Sequence, residues 1–170
     1  GDCMGAHRLI EKGEFMYDEI YRIPLVVYHP DCENPGTVNE DLVYLQELMC
    51  TLLDAGGVDV PDDLDGRSFL NATLGRDTDW DRDDVYCVFD RHFTVAQQRM
   101  VRTRTHQLTF NAADQGELYD LVQDPYQLHN VYGDPAYDGV RRDLGDRMRA
   151  HMERLHDPLL RRFRMIWSVY

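Results

Sequence analysis

The stretch RMVRTRTHQLTFNAADQGELYDL, residues 99–121, decides the fold of the C-terminal half of this 170-residue chain. It contains three short runs of strand-forming residues, 99–105, 107–111 and 118–121, and the turn residues of 111–116 separate the last two. A fourth run, 85–89, precedes them. Short strands separated by turn residues predict an antiparallel meander of about four strands.

Apolar residues at helical spacing follow the predicted sheet and indicate one helix over about 136–157. They are Val140, Leu144, Met148, Met152 and Leu155. Residues 141–164 carry eight arginines against four acidic residues. We expect this basic stretch to pack on the acidic body of the protein; the alternative is an anion-binding tail.

The N-terminal half gives a different pattern. Residues 23–28, Ile-Pro-Leu-Val-Val-Tyr, form an almost continuous apolar run, which predicts a strand buried on both faces, as in a parallel sheet. Thr37-Val38-Asn39-Glu40 resembles a capping box and predicts the start of a helix that ends at Gly56-Gly57. The acid-rich residues 54–90 predict a solvated loop region with Ser68-Phe69-Leu70 tucked in. We therefore predict the edge of an α/β domain over 1–80 and a small α+β subdomain over 81–170.

Composition excludes several classes of protein. The formal net charge of −13 argues against a nucleic-acid-binding surface, which needs clustered Lys and Arg. No apolar run approaches the ~20 residues that span a bilayer. The four cysteines form no C-x-x-C pair, which argues against a zinc ribbon and favours free thiols.

The balance of charged residue types is unusual. The chain has 23 Asp against 8 Glu and 17 Arg against one Lys, Lys12. An Asp-rich, Lys-poor surface is typical of proteins that work in high salt, and we predict a halophilic source on this ground. A GC-rich genome is the alternative explanation, since it too replaces Lys by Arg.

Several short motifs occur in a fixed order along the chain. In the N-terminal half these are Gly5-Ala6-His7, Lys12-Gly13 and Arg22-Ile23-Pro24-Leu25, and the helical region 45–58 agrees with them. In the C-terminal half they are Val101-Arg102-Thr103, Phe110-Asn111, Glu117-Leu118-Tyr119-Asp120-Leu121 and Asp124-Pro125 followed by Asn130. These motifs resemble the sulfatase family of the alkaline-phosphatase superfamily, and the resemblance covers nearly the whole chain. It implies an alkaline-phosphatase-like α/β domain whose edge is present here.

The family's nucleophile motif, Cys/Ser-x-Pro-x-Arg, does not occur in the sequence. By the spacing to His7 and Lys12, Gly1 aligns with the glycine of the family's Asp-His-Gly metal motif. Two metal ligands would then lie immediately before Gly1, so we expect a C-terminal fragment that lacks the other half of its domain. A register that uses Asp2-Cys3 as the metal pair is disfavoured, because it puts His7 and Lys12 three residues too close.

The resemblance implies hydrolysis of a sulfate ester, of a small molecule or a saccharide, by a formylglycine nucleophile with a calcium-type divalent ion. Lys12 matches the lysine that contacts the sulfate, and His7 matches a histidine at the mouth of the active site. Both are our candidate catalytic and substrate-binding residues. Arg22 is expected to be structural, Asp2 to lie beside the metal ligands, and His92 and Arg102 are weaker candidates to face the substrate.

Other functions stay open at this point. The same scaffold serves phosphonate- and phosphate-ester hydrolases, and fold alone does not fix the substrate. A non-catalytic module that binds a partner or an anion through its Arg-rich C-terminal helix is an alternative of another class. The fragment hypothesis predicts that the chain alone turns over no aryl sulfate. The sequence leaves the cellular compartment open.

Overall fold

A computed structural model describes residues 1–76, 80–90 and 96–168 of the chain. The described residues form two compact units: residues 1–23 together with 84 onward, and residues 24–83. The predicted boundary at residue 80 between two parts of a larger protein stays a prediction. In the described residues, no helix is both long and apolar enough to cross a membrane.

The first unit is built on a four-stranded antiparallel sheet in the order β1-β2-β3-β4, which confirms the predicted meander. The strands are β1 (Val85–Asp90), β2 (Gln97–Arg102), β3 (His106–Asn111) and β4 (Glu117–Asp120). Val101 pairs with Leu108, and Leu108 pairs with Leu118, so these three side chains share one face. All four inner residues of both β2 and β3 are buried, because both faces of the sheet are covered.

Two helices cover that face, and residues of the N-terminal segment hydrogen-bond to the other. The first helix, α4 (Asp138–Arg154), buries Leu144, Met148 and Met152 against the sheet, as their spacing predicts. The second, α5 (Leu160–Trp167), was not predicted and places Phe163 edge-on against Phe110, with 5.2 Å between ring centroids. Arginines of this region pair with acidic residues of the same unit, and the packed interpretation of the basic stretch is confirmed. Among those paired are Arg141, Arg147, Arg149 and Arg164.

A buried ion-pair network joins the sheet to the turn between α4 and α5. The side chain of Arg99 on β2 is 1% exposed, and its Nε donates to Asp157 Oδ2 at 2.6 Å. Asp157 also accepts a hydrogen bond from the Tyr86 hydroxyl, at 2.8 Å, and caps the backbone N–H of Leu159, at 2.8 Å. On its other side, Arg99 binds Asp90 through two bonds of 3.0 and 3.1 Å.

The second unit holds two short helices, α2 (Glu47–Ala55) and α3 (Leu70–Leu74). Phe69 is buried, as predicted, and its backbone N–H donates to Thr51 Oγ1 at 3.0 Å. Glu47 is completely buried and pairs with Arg82. The four cysteines are free thiols, as expected.

Two sequence predictions in this part of the chain are wrong. Residues 23–28 form no strand, and Val26 and Tyr28 are 93% and 87% exposed. A strand needs a neighbour to satisfy its backbone, and no strand of the described residues pairs with this run. The helix predicted from Thr37 begins only at Glu47, with Glu47 Oε2 accepting from the Tyr44 N–H at 2.8 Å. It ends at Gly56-Gly57 as expected, where Gly57 adopts a φ of 69°.

Candidate functional site

The residues matched to the family's N-terminal motifs form a closed loop in the first unit. Backbone N–H groups of Cys3, Met4 and Gly5 donate to the carbonyls of residues 11, 10 and 9, at 3.5, 3.2 and 2.7 Å. A single 3-10 turn, Ala6–Arg8, closes the tip. The two chain directions therefore run side by side, and the residues that flank the loop, Asp2 and Lys12, come face to face.

The loop tip holds its backbone in a costly conformation. Met4, His7 and Arg8 have positive φ values of 48°, 51° and 62°, in the left-handed region that favours glycine. Each such residue costs on the order of 1–3 kcal/mol and persists only where the surroundings enforce it. Residues in this state are concentrated at functional sites, so the loop tip is a candidate for function on geometry alone.

Lys12 forms an exposed ion pair across the base of this loop. Its Nζ lies 2.9 Å from Asp2 Oδ1, and the two side chains are 62% and 46% exposed. Exposed pairs of this kind contribute between 0 and about 1 kcal/mol, so little holds Lys12 to Asp2. The ammonium group is thus free to exchange its partner for an anionic ligand.

His7 is held quite differently. Its side chain is only 9% exposed, and its ring stacks on Tyr17 with 3.6 Å between centroids and 7° between planes. Nε2 of His7 lies 3.4 Å from Glu19 Oε2, yet neither atom has a hydrogen-bond partner. His7 therefore combines a fixed ring with a buried nitrogen that faces the Glu19 carboxylate but makes no hydrogen bond. No ion pair or hydrogen bond joins it to Lys12 in the described part of the chain.

Electrostatics near His7 are shaped by burial among acids and phenols. The pKa of Glu117 is raised, chiefly by burial. Hydrogen bonds from Tyr119 and Asn111 and the nearby His7 offset only part of this effect. Burial also raises the pKa of Tyr17, and the charge of Glu117 adds to that effect. The phenol of Tyr17 is therefore kept protonated next to the His7 ring.

The remaining sequence candidates lie outside this cluster or in supporting positions. Arg102 forms a bidentate ion pair with Asp18, at 2.9 and 2.8 Å, with both side chains about 15% exposed. It therefore connects the sheet to α1 (Asp18–Tyr21). Arg22 closes that helix with its backbone N–H on the Asp18 carbonyl, and its side chain is exposed. His92 lies outside the described residues.

Residues that support the site escaped the sequence analysis. Tyr17 and Glu19 stand between two matched motifs, Lys12-Gly13 and Arg22-Ile23-Pro24-Leu25, but nothing in the sequence shows which of them faces His7. Gln107 and Gln127 are buried and hydrogen-bond the backbone of residues 16 and 18. A glutamine in a strand or loop carries no sequence signal for such a contact.

The described residues offer no site for the divalent ion that the resemblance implies. No group of three or more His, Cys, Asp or Glu side chains among them is arranged to hold a metal. Hard divalent cations such as Ca²⁺ need six or more oxygen ligands. The described part of the chain therefore does not fit that group by itself.

Sequence similarity to known proteins extends over most of the chain. A family model described as N-sulphoglucosamine sulphohydrolase, C-terminal, matches residues 5–154. An uncharacterised sulfatase of Escherichia coli is 30% identical over 93% of this chain, and an N-acetylglucosamine-6-O-sulfatase of Bacteroides thetaiotaomicron is 28% identical over 85%. This chain spans only 31% and 27% of those two proteins, and 62% of an uncharacterised relative from Haemophilus influenzae.

Solved structures agree. A 2-O glycosaminoglycan sulfatase shares 25% identity with a TM-score of 0.86, over 92% of this chain and 35% of its own. A phosphonate monoester hydrolase from Silicibacter pomeroyi shares 28% identity with a TM-score of 0.78, over 91% and 33%. The predicted fold class, with its four-stranded antiparallel sheet and C-terminal helix, is confirmed by these matches. The chain belongs to the sulfatase family of the alkaline-phosphatase superfamily and corresponds to its C-terminal region.

Proposed function

We propose that this chain is the C-terminal part of a sulfate-ester hydrolase, in which Lys12 and His7 contact the sulfate group of a sulfated saccharide or small molecule. The observation that carries the proposal is the loop of residues 3–11. Residues 5–11 of this loop lie within the span matched to the family, the exposed Lys12 follows the loop, and the buried His7 carries a nitrogen without a hydrogen-bond partner. The choice of a sulfated sugar follows the activity named for the N-acetylglucosamine-6-O-sulfatase.

The chemistry asked of these residues is electrostatic. Negative charge gathers on the sulfate oxygens and the leaving oxygen as the ester bond breaks, and donors placed beforehand stabilise that charge. Lys12 supplies a cation that is weakly held by Asp2 and can turn to the sulfate. His7 supplies a ring nitrogen at fixed orientation, suited to a hydrogen bond with a sulfate or leaving-group oxygen.

The nucleophile and the divalent ion are expected from the part of the relatives that this chain does not cover. The family resemblance implies a formylglycine, which would supply the nucleophile, and a calcium-type ion, which would stabilise negative charge on the sulfate. We assign neither group to residues of this chain. Accordingly, we expect no aryl-sulfate turnover by the chain alone, even with added Ca²⁺.

A chimera tests the proposal. Residues 1–170 replace the matching C-terminal region of the Bacteroides thetaiotaomicron sulfatase, and hydrolysis of an aryl sulfate is measured. Lys12→Gln is expected to lower kcat/KM about 10²–10³-fold, the loss typical of one transition-state donor. Arg8→Gln is the matched control, since it removes one exposed cation from the same loop. Equal activity of the two variants in an active chimera would contradict the assignment of Lys12.

Phosphonate- or phosphate-ester hydrolysis is the second candidate, favoured by the match to the phosphonate monoester hydrolase. Sulfate esters and phosphonate monoesters both present an anionic tetrahedral centre that Lys12 could contact. The chimera inherits its nucleophile from the sulfatase, so a second chimera on the phosphonate hydrolase is needed. If Lys12→Gln impairs only that second enzyme, the phosphonate function is favoured over the sulfatase.

A further inference from the structure

Side chains from distant parts of the chain form hydrogen bonds with both ends of the segment Met16-Tyr17-Asp18. Gln107 Nε2 donates to the Met16 carbonyl at 2.7 Å, and the Asp18 N–H donates to Gln127 Oε1 at 2.7 Å. The Asp18 carboxylate receives the bidentate guanidinium of Arg102. We call these three side chains, Gln107, Gln127 and Arg102, the clamp.

The clamp is costly to build, which indicates that it serves placement rather than stability. Gln107 and Gln127 are 0% and 1% exposed, yet each uses only one polar atom. Gln107 Oε1 and Gln127 Nε2 are buried without a hydrogen-bond partner. A buried polar atom left unpaired keeps its desolvation penalty, so an apolar side chain of similar volume would fill either position at lower cost. Gln127 also sits in the left-handed region, with a φ of 53°.

Tyr17 is the residue between the two backbone groups that Gln107 and Gln127 bind. One face of its ring carries the His7 imidazole at 3.6 Å, and Tyr119 on β4 meets it edge-on at 6.1 Å. Phe15 stacks on it more distantly, at 5.7 Å. The ring is therefore fixed by the sheet through both its backbone and its neighbours, and it is the surface on which His7 rests.

His7 needs such a support, because its own backbone does not favour the conformation that it adopts. His7 and Arg8 are consecutive residues at positive φ in a loop whose tip consists of one 3-10 turn. Released from its surroundings, this tip would relax to ordinary φ values and carry the imidazole away. A flat ring stacked at 7° holds the imidazole plane as well as its position.

We propose that Tyr17 is a positioning residue for His7, and that the clamp of Gln107, Gln127 and Arg102 transmits the geometry of the C-terminal sheet to the His7 loop. The role of Tyr17 in catalysis rests on the proposed function, whereas its role in placing the imidazole does not. The sheet subdomain would then act on the site without contributing a group to the reacting atoms.

Nuclear magnetic resonance of the 170-residue chain tests the placement without reference to activity. A ring face stacked at this distance shields the imidazole protons, so the His7 carbon-bound protons should resonate upfield of those of an exposed histidine such as His156. Tyr17→Ala should abolish this upfield displacement, and Tyr17→Phe should restore it, because the phenyl ring stacks equally well. Gln107→Met, which removes the bond to Met16 at similar volume, should reduce it. Tyr126→Ala, a change of an exposed tyrosine, is the control.

Three results would overturn the inference: an unchanged His7 resonance in Tyr17→Ala, no recovery in Tyr17→Phe, or no response to Gln107→Met. Methyl resonances of Val101 and Leu108 report whether the sheet stays folded, and Tyr17→Phe keeps the test valid if Tyr17→Ala unfolds. In the active chimera, Tyr17→Ala and His7→Ala should lower kcat by similar factors, with no further loss when combined. Additive losses would refute only the role of Tyr17 in catalysis. A chimera whose activity is unchanged by His7→Ala would refute the assignment of His7 but not the placement of its imidazole by Tyr17.

Discussion

Among substitutions of single acidic residues in the first unit, we expect removal of the Asp157 carboxylate to destabilise the fold most. Asp157→Ala deletes the acceptor of four hydrogen bonds, two from Arg99, one from Tyr86 and one from the N–H of Leu159. It also leaves Arg99, whose side chain is 1% exposed, with Asp90 as its one remaining acidic partner among the described residues. Breaking a buried ion pair by removing one partner costs about 3–5 kcal/mol, and we expect a loss in this range.

Urea unfolding followed by circular dichroism measures that loss. Asp90→Ala is the matched control, because Asp90 binds the same guanidinium with a side chain that is 39% exposed. It should cost only about 1 kcal/mol, as exposed pairs do. The slope of the free energy of unfolding against urea should be unchanged in both variants. A loss for Asp157→Ala no larger than that for Asp90→Ala would refute the argument that burial sets the cost.

The same carboxylate predicts a pH dependence of stability. Burial raises the pKa of Asp157, but hydrogen bonds from Arg99, Leu159 and Tyr86 outweigh it and hold the pKa below its usual range. A carboxyl whose folded pKa is depressed stabilises the fold above its unfolded pKa of about 3.9, and that stability is lost as the pH falls through the folded value. The difference between wild type and Asp157→Asn in free energy of unfolding should therefore shrink from pH 6 to pH 2.5. A constant difference over that range would contradict the assigned protonation state.

Three further outcomes are expected. Gly145→Ala should destabilise the chain by about 1–3 kcal/mol in urea unfolding, although alanine favours helix, because a Cβ there would lie 1.9 Å from the Trp167 ring; a gain in stability would contradict this packing. Burial raises the pKa of Cys87 to about 11, so the stability that its neutral thiol contributes is fully present below pH 9 and lost as the pH rises through 11. Cys87→Ala should flatten that alkaline loss, which is worth about 3 kcal/mol, and an unchanged alkaline profile would show that another group titrates. Finally, the exposed apolar run 23–28 predicts self-association of the chain at low salt, and a clean monomer by light scattering in dilute buffer would count against it.

The elements that the sequence predicted well are those whose signal is local. The turn at 111–116 between two strand-forming runs was enough for β3 and β4, and the spacing of Leu144, Met148 and Met152 was enough for α4. The helix α5 has a similar pattern, with Leu160, Phe163 and Trp167 at helical spacing. It was not predicted, because the many arginines around these residues favoured an interpretation of the stretch by its charge.

The failures depend on partners that are distant in the chain. An apolar run such as 23–28 becomes a strand only where another strand pairs with its backbone N–H and C=O groups. The composition of the run does not show whether such a neighbouring strand is present. Of the candidate site, the sequence marked Lys12, His7, Asp2 and Arg102, but not Tyr17, Gln107 or Gln127, which support His7. Gln107 binds the Met16 carbonyl only because the sheet and the N-terminal segment pack together, and no sequence periodicity encodes that contact.

Because Lys12 is the single lysine in the chain, its side chain carries the only ε-amine available to acylating reagents. A fluorophore attached through that amine would report from the base of the His7 loop and from no other side chain. The scarcity of lysine, first noted as a matter of surface charge, thus makes the candidate site chemically addressable in the unmodified sequence. Protection of this amine by sulfate or by a substrate could be followed directly by mass spectrometry, with no engineered cysteine.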